Sequence, residues 1–196
     1  MSPPDALASD LKEIFGPRLK MVAAFGGDRH ACAVVQSLTL DDLDRCAALR
    51  PKWKKLGLDT PLFVLEPELA RALDAFPLEF SEIIATRRLV AGVDLFDGIT
   101  VPKADLRRAC EVQARGHVVH LREGYVEAAG NRKAAEQLVL AAILPFRSLV
   151  TNAARLDGIS PKALVTQLNL ENFEKGFQEA LRAAERLVEY VDQWSH

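Results

Sequence analysis

The sequence predicts an α/β (α+β) fold, with a mixed sheet that is followed by a C-terminal helical bundle. Short apolar runs alternate with helical patterns over residues 1–100, which is typical of strands and helices that share one core. Residues 101–196 carry only long helical patterns. A short turn-rich join separates the two halves, so we expect an α/β domain over 1–100 and a helical bundle domain over 101–196.

The first predicted elements are one helix and two strands. A short amphipathic helix over residues 5–15 should end at Gly16-Pro17, because proline cannot continue a helix. Apolar runs at residues 19–25 and 31–37 are typical of buried strands.

The rest of the first half predicts a second helix, a third strand, a third helix and a fourth strand. Thr39 is a suitable N-cap, since Asp41 and Asp42 follow it in the first turn, and Gly57 should end that helix. The later elements are a strand at 60–65, a helix that starts at Pro67, an interruption of the helical pattern at 76–80, and a strand at 88–93.

The second half predicts three long helices and one short one. They cover residues 103–128, 132–156, 160–168 and 170–194. Pro145 should kink the second of them rather than end it, because apolar residues continue on both sides. The last helix should pack through an apolar stripe that consists of Phe173, Phe177, Leu181, Ala184, Val188 and Val191.

Composition favours a cytoplasmic protein. The net charge of −2 gives no reason to expect nucleic acid or an anionic membrane as partner. Three scattered cysteines without a CxxC pair argue against a disulfide framework. The first residues show no signal-peptide pattern, and the most apolar run, 138–144, is too short to cross a bilayer.

The segment MVAAFGGDRHACAVV, residues 21–35, places a small-residue turn between two strands. Gly26 and Gly27 form that turn, and His30 and Cys32 follow at alternate positions of the second strand. Alternate positions share one face of a strand, so these two side chains should point the same way. Phosphate-handling enzymes often use such a turn together with carboxylates on the following strand.

Several segments resemble a bacterial group with a nucleotidyltransferase-like domain and a helical tail. They are PLFVLEPEL at 61–69, FPLEF at 76–80, RLVAG at 88–92, DLRR at 105–108 and HLREGY at 120–125. In that family a Gly-Ser turn holds the nucleotide phosphates, and an Asp-x-Asp pair on the next strand and a third acid on a later strand bind divalent metal. Hard oxygen ligands suit Mg²⁺, which bridges to the phosphates.

This chain departs from the family pattern at each of those points. Gly26-Gly27 stands where the resemblance implies Gly-Ser, and His30 and Cys32 stand at the Asp-x-Asp positions. The third strand offers Leu62, Phe63 or Val64, depending on register, and none of them is acidic. We therefore expect a catalytically inactive nucleotidyltransferase-like protein without metal or cofactor, which acts as a binding or interaction module and forms a homodimer.

The alternative within the same family is an active, metal-dependent nucleotidyltransferase that uses Asp28, Asp59 or Glu66. A weaker alternative is a HEPN-like ribonuclease, because Arg115 and His120 form the R-x4-H pattern of those enzymes. Few aromatic residues lie nearby for base stacking, which argues against single-stranded nucleic acid as partner.

If the chain binds a small ligand, the basic residues indicate one that bears phosphate, such as a nucleotide, with Gly26, Gly27 and His30 as further candidate contacts. Arg108, Arg115 and Arg122 recur every seven residues and so form a stripe on one helix. We call these three residues the arginine stripe. The favoured interpretation of the stripe is a solvated surface balanced by Glu111 and Glu123, and an anion site is the alternative.

Two sets of residues are weak candidates for a metal site. His30 and Cys32 share a strand face, and Cys110, His117 and His120 lie on one side of a helix. Packing is the favoured explanation for both sets, because neither has a complete set of ligands.

Overall fold

The computed structural model describes residues 2–195 of the protein, with the backbone alone at Ser195. The fold class is α+β, as predicted, with a four-stranded mixed sheet and a helical C-terminal region. The chain divides after Val101 into two compact units, which are described separately below.

The elements over the described residues follow in chain order. They are α1 (Pro3–Phe15), β1 (Leu19–Phe25), β2 (His30–Val35), α2 (Leu40–Lys55), β3 (Leu62–Leu65), α3 (Leu69–Ala75), α4 (Pro77–Thr86), β4 (Arg88–Gly92), α5 (Lys103–Glu127), α6 (Arg132–Leu156), α7 (Pro161–Gln167) and α8 (Phe177–Asp192).

Capping boxes fix the starts of α1 and α2. Ser2 caps α1 and exchanges hydrogen bonds with Asp5, so this helix starts two residues before the predicted position. Thr39 caps α2 as predicted and exchanges hydrogen bonds with Asp42. Arg18 also donates to both oxygens of Asp42, at 2.7 and 2.8 Å, and holds the pKa of this buried carboxyl well below its usual range.

The sheet has the strand order β3-β2-β1-β4. β1 pairs antiparallel with β2 on one side and with β4 on the other, whereas β2 and β3 are parallel. Parallel strands need a crossover connection, and here α2 supplies it. The turn at residues 26–29 joins β1 to β2 and brings Phe25 opposite His30.

Helices cover both faces of the sheet. One face packs against α1 and α2, and its core includes Leu11, Val22, Ala33 and Trp53. The other face packs against α3 and α4, and its core includes Met21, Cys32, Val64 and Phe80. Burial on both faces explains why β1 and β2 appear in the sequence as continuous apolar runs rather than as alternating patterns.

One buried acid joins α1 to α2. Asp10 accepts hydrogen bonds from the indole Nε1 of Trp53 at 2.9 Å and from Lys52 Nζ at 2.6 Å. The Trp53 side chain is almost fully buried, so its N–H group needs such a partner.

The second unit is built on α5, α6 and α8. Gly124 on α5 lets α6 approach closely, because a side chain there would meet Leu138 at 2.8 Å. Aromatic pairs fill the same region: Phe146 stacks on Phe173 at 4.1 Å, and Tyr125 stacks on Phe177 at 4.2 Å.

Several predicted elements differ from the structure in their bounds, and two of these differences have a clear local cause. The helix expected over 170–194 begins only at Phe177, because Gly176 has φ +153° and ends a separate short 3₁₀ turn, Phe173–Lys175. The helical pattern expected to break over 76–80 is interrupted only at Phe76, since Pro77 begins α4.

The long helix α6 runs through Pro145 without a break, so the proline does not end it, as predicted. Within residues 2–195, α6 is the one helix that is long and apolar enough to cross a membrane by length and composition. The sequence had indicated only a short apolar run there. Only 22% of the most apolar stretch of α6 is buried.

Candidate functional site

The first candidate site surrounds the turn between β1 and β2. Gly26, Gly27 and Asp28 all have positive φ, at +58°, +71° and +64°. The imidazole of His30 lies against this turn, because a Cβ atom on Gly26 would come within 2.7 Å of its Cδ2 atom. On its other side the ring contacts Phe25, with ring centroids 5.4 Å apart. Gly26 therefore provides the space that the His30 ring occupies.

The two carboxylates near the turn are both engaged by cationic side chains. Asp59 accepts from Arg29 Nε at 3.0 Å and lies 3.0 Å from His30 Nδ1. Asp28 accepts from Arg88 Nη2 at 2.7 Å, and this contact raises the pKa of Arg88. We call Asp28, Arg29, His30, Asp59 and Arg88 the turn cluster. Its two acids and two arginines balance in charge.

The strand positions that would carry metal-binding acids hold apolar or weakly coordinating side chains. Cys32 is fully buried beside Val34 and Val64, and burial raises the pKa of its thiol to about 12. The register pairs Cys32 with Leu62 and Val34 with Val64, which settles which residues of β3 share this face. Neither Leu62 nor Val64 can bind Mg²⁺.

His30 and Cys32 do not form a shared metal site. Both belong to the same strand face, as predicted, but the His30 side chain is 43% exposed whereas Cys32 is fully buried in the core. Among residues 2–195, no three side chains of His, Cys, Asp or Glu lie close enough to hold one metal ion.

The arginine stripe lies on α5 and is matched by carboxylates. Arg108 Nη2 is 2.8 Å from Asp105, one turn earlier on the same helix. Arg115 and Arg122 instead reach across to α8. Their Nη2 atoms lie 2.7 Å from Asp192 and 2.8 Å from Glu185, respectively. The counter-charges of Arg115 and Arg122 are therefore on α8, whereas the sequence predicted that Glu111 and Glu123 on α5 would balance the stripe.

The histidines and the cysteine of α5 do not converge. Cys110 is fully buried, and burial raises the pKa of its thiol to about 12. His117 is partly buried and makes an edge contact with Phe146, at 5.7 Å between ring centroids. The side chain of His120 is 80% exposed and lies 3.6 Å from Glu123. The prediction that these three side chains share one side of the helix therefore does not describe their environments, which range from fully buried to exposed.

Both residues of the R-x4-H pair contact carboxylates, as exposed charged residues on helix surfaces commonly do. Arg115 is bound to Asp192, and His120 faces Glu123 on its own helix. Burial lowers the pKa of His117, which is not a member of the R-x4-H pair.

Four of these ion-pair contacts were not predicted from the sequence. Asp59 meets His30 and Arg29 because the crossover through α2 returns the chain beside β2. Asp192 and Glu185 meet the arginine stripe because α8 packs on α5. The spacing of Glu185 and Asp192, seven residues apart, equals that of Arg115 and Arg122, and this match is the one sequence signal that indicates the pairing.

Comparison of the chain with protein-family models and with curated proteins finds no match to either.

Proposed function

We propose that this chain is a catalytically inactive member of the nucleotidyltransferase-like group and acts in the cytoplasm as a protein-interaction module. The observation that carries the proposal is the turn cluster. Both acids near the turn are neutralised by guanidinium groups, and the strand positions for metal ligands hold His30, Cys32, Leu62 and Val64.

The charge state of the turn cluster opposes metal-dependent transfer. A divalent ion would have to replace Arg88 at Asp28 and Arg29 at Asp59 before either carboxylate could bind it. Each replacement would leave a cation without its partner. A nucleoside triphosphate adds its own negative charge, which the two acids and two arginines of the turn cluster do not offset.

The remaining surface favours a protein partner over a phosphate-bearing ligand. Each residue of the arginine stripe already contacts a carboxylate, and a phosphate would have to displace it. Much of α6, by contrast, is apolar and exposed. Exposed apolar surface of this kind typically marks an interaction site. Three buried free cysteines support a reducing compartment.

The experiment is a thermal shift of the full chain with ATP, CTP, GTP and UTP, each with and without Mg²⁺. A ligand at a hundred times its Kd stabilises the native state by about 2.7 kcal/mol, which moves the melting temperature by several degrees. We expect no Mg²⁺-dependent rise with any of the four nucleotides.

A Mg²⁺-dependent rise that is abolished by Asp28→Asn or Asp59→Asn, but kept in Asp44→Asn, would contradict the proposal. Asp44 is a matched control because it is an exposed aspartate on α2, away from the turn cluster. A rise without Mg²⁺ that Arg115→Ala abolishes would instead identify the arginine stripe as an anion site.

A further inference from the structure

The exposed surface of α6 has a regular apolar face. Leu140 is 64% exposed and Leu144 is 75% exposed, and Gln137, Ala141 and Ser148 are exposed as well. At 3.6 residues per turn these five residues lie within an arc of about 100° and extend for about 17 Å. We call them the α6 face. It is apolar in the middle and polar at both ends.

Between residues 136 and 148 the edge of the α6 face carries one charge of each sign, and the exposed Lys133 lies one turn before Gln137. Glu136 precedes Gln137 at the start of the face, and Arg147 precedes Ser148 at its end. At 3.6 residues per turn both residues lie along the same edge of the face. Their side chains are 58% and 66% exposed. Along this edge the helix therefore presents an acid, an apolar segment and a base, in that order.

A second α6 helix that runs in the opposite direction presents its base beside this acid and its acid beside this base. When two such helices pack antiparallel about a two-fold axis, the same edges of the two faces meet and every contact occurs twice. Glu136 of each copy then lies near Arg147 of the other. If the axis passes between Ala141 and Leu144, these two residues face each other and Gln137 lies opposite Ser148.

We propose that a second copy of this chain covers the α6 face, with the two α6 helices antiparallel about a two-fold axis. This inference rests on the proposed role as an interaction module and identifies the partner. The apolar contact involves Leu140, Ala141 and Leu144. The small side chain of Ala141 lets the helices approach closely, and the charged and polar pairs at the ends fix the direction.

Grooves beside the α6 face provide room for side chains of the second copy. One groove, of about 530 Å³, is lined by Glu136, Leu140 and Tyr125 among others. A second, of about 390 Å³, is lined by Ile143, Arg147 and Val150 among others. Both grooves lie on the edge that carries the two charges, so that edge is the part of α6 with space for incoming side chains.

The charged edge disfavours a membrane as the partner. Glu136 bonds to Arg132 at 3.0 Å, and Arg147 bonds to Glu174. Insertion of α6 into hydrocarbon would bury both ion pairs, which is costly. At an interface between two copies, the same groups keep a polar partner and remain near water.

The first test is the molar mass of the full chain by light scattering coupled to gel filtration. The monomer has a mass of 21.6 kDa, and we expect twice that value for the wild type. Leu144→Glu should raise the Kd of the dimer at least roughly a hundredfold, because each dimer would bury two unpaired carboxylates. Val112→Glu is the matched control: Val112 is 66% exposed but lies on α5, and its substitution should leave the dimer intact.

The second test uses charge reversal to read the direction of the helices. Glu136→Arg places arginine near Arg147 of the other copy, and Arg147→Glu places glutamate near Glu136. Each variant alone should dimerise more weakly, by roughly tenfold. An equimolar mixture of the two variants should form a heterodimer, because both charge pairs are then restored. Circular dichroism checks that each variant is folded.

A monomeric wild type at about 100 μM, a dimer that Leu144→Glu leaves unchanged, or a mixture that does not form the heterodimer would overturn the inference. Flotation of the chain with phospholipid vesicles, lost in Leu144→Glu, would overturn it in favour of a membrane partner. Failure of the proposed function is a separate result, because it appears as Mg²⁺-dependent nucleotide binding whatever the molar mass is.

Discussion

At the scale of single residues, the carboxylates beside the turn between β1 and β2 are held in ion pairs. Asp28 and Asp59 are the carboxylates nearest to the turn, and an active enzyme would need them free for a metal ion. Arg88 and Arg29 bind them instead. His30 adds a contact to Asp59 and fills the space beside Gly26. These residues therefore support one another as a structural cluster.

His117 gives a residue-scale prediction about pH. Burial lowers its pKa below the ordinary value of 6.5, the nearby His120 adds to this effect, and a hydrogen bond to the backbone of Pro145 opposes it. In acid the unfolded chain therefore binds a proton on this histidine before the folded chain does. The free energy of unfolding should fall as the pH drops below about 6.5.

His117→Gln should reduce this acid destabilisation, which urea unfolding followed by circular dichroism between pH 5 and pH 7.5 would measure. His120→Gln should have a smaller effect, because it removes only the added influence of this exposed side chain on His117. An equal effect of the two substitutions would show that burial of His117 does not cause the pH dependence.

Residue types near the turn could be predicted from the sequence, whereas their partners could not. The absence of acids at positions 30 and 32 is visible in the sequence itself. The pairing of Asp59 with His30 depends on the crossover through α2, which places residues far apart in the chain side by side. The pairing of the α8 carboxylates with the arginine stripe could not be predicted for the same reason.

At the scale of elements, close backbone contacts set the limits of the sheet. Gly92 ends β4 with φ +82° and lies directly against β1. A Cβ atom there would lie 1.9 Å from the carbonyl oxygen of Lys20, so no side chain fits. Gly98 has a similar φ of +71°, but no atom lies within 4 Å of its Cβ position.

Alanine substitutions at these two glycines allow the cost of steric clash to be measured apart from the cost of backbone strain. Gly98→Ala should cost about 1–2 kcal/mol, because alanine disfavours positive φ. Gly92→Ala carries the same strain and must also move Lys20, so we expect a loss more than twice as large, or no folded protein. Urea unfolding of both variants measures the difference. Equal losses would show that β4 does not approach β1 as described.

Some helix starts that carry a cap could be predicted from the sequence, whereas the capped start of α1 at Ser2 was missed. Thr39 caps α2 as predicted, and Ser160 caps the short helix predicted over 160–168, because both side chains accept from backbone N–H groups. The start of α8 at Phe177 was missed, because the apolar pattern continues through Gly176 into the preceding turn. The fully buried residues of α8 are Ala180, Ala183, Ala184, Leu187 and Val191, so the predicted stripe lay partly on the edge of the buried face.

At the scale of the whole molecule, the two units carry different parts of the account. The α/β unit holds the turn cluster, whose charges are balanced internally. The helical unit holds α6, whose apolar stretch is only 22% buried. Composition alone did not reveal this exposure, because a buried core helix and an exposed interaction helix have the same content of apolar residues.

The most direct test of the central claim is binding of Mn²⁺, a paramagnetic substitute for Mg²⁺, measured by electron paramagnetic resonance with the full chain and ATP. If the turn cluster has no place for a divalent ion, the signal of free Mn²⁺ should be the same with the protein and ATP as with ATP alone. One bound Mn²⁺ per chain, lost in Asp28→Asn or Asp59→Asn, would contradict the claim.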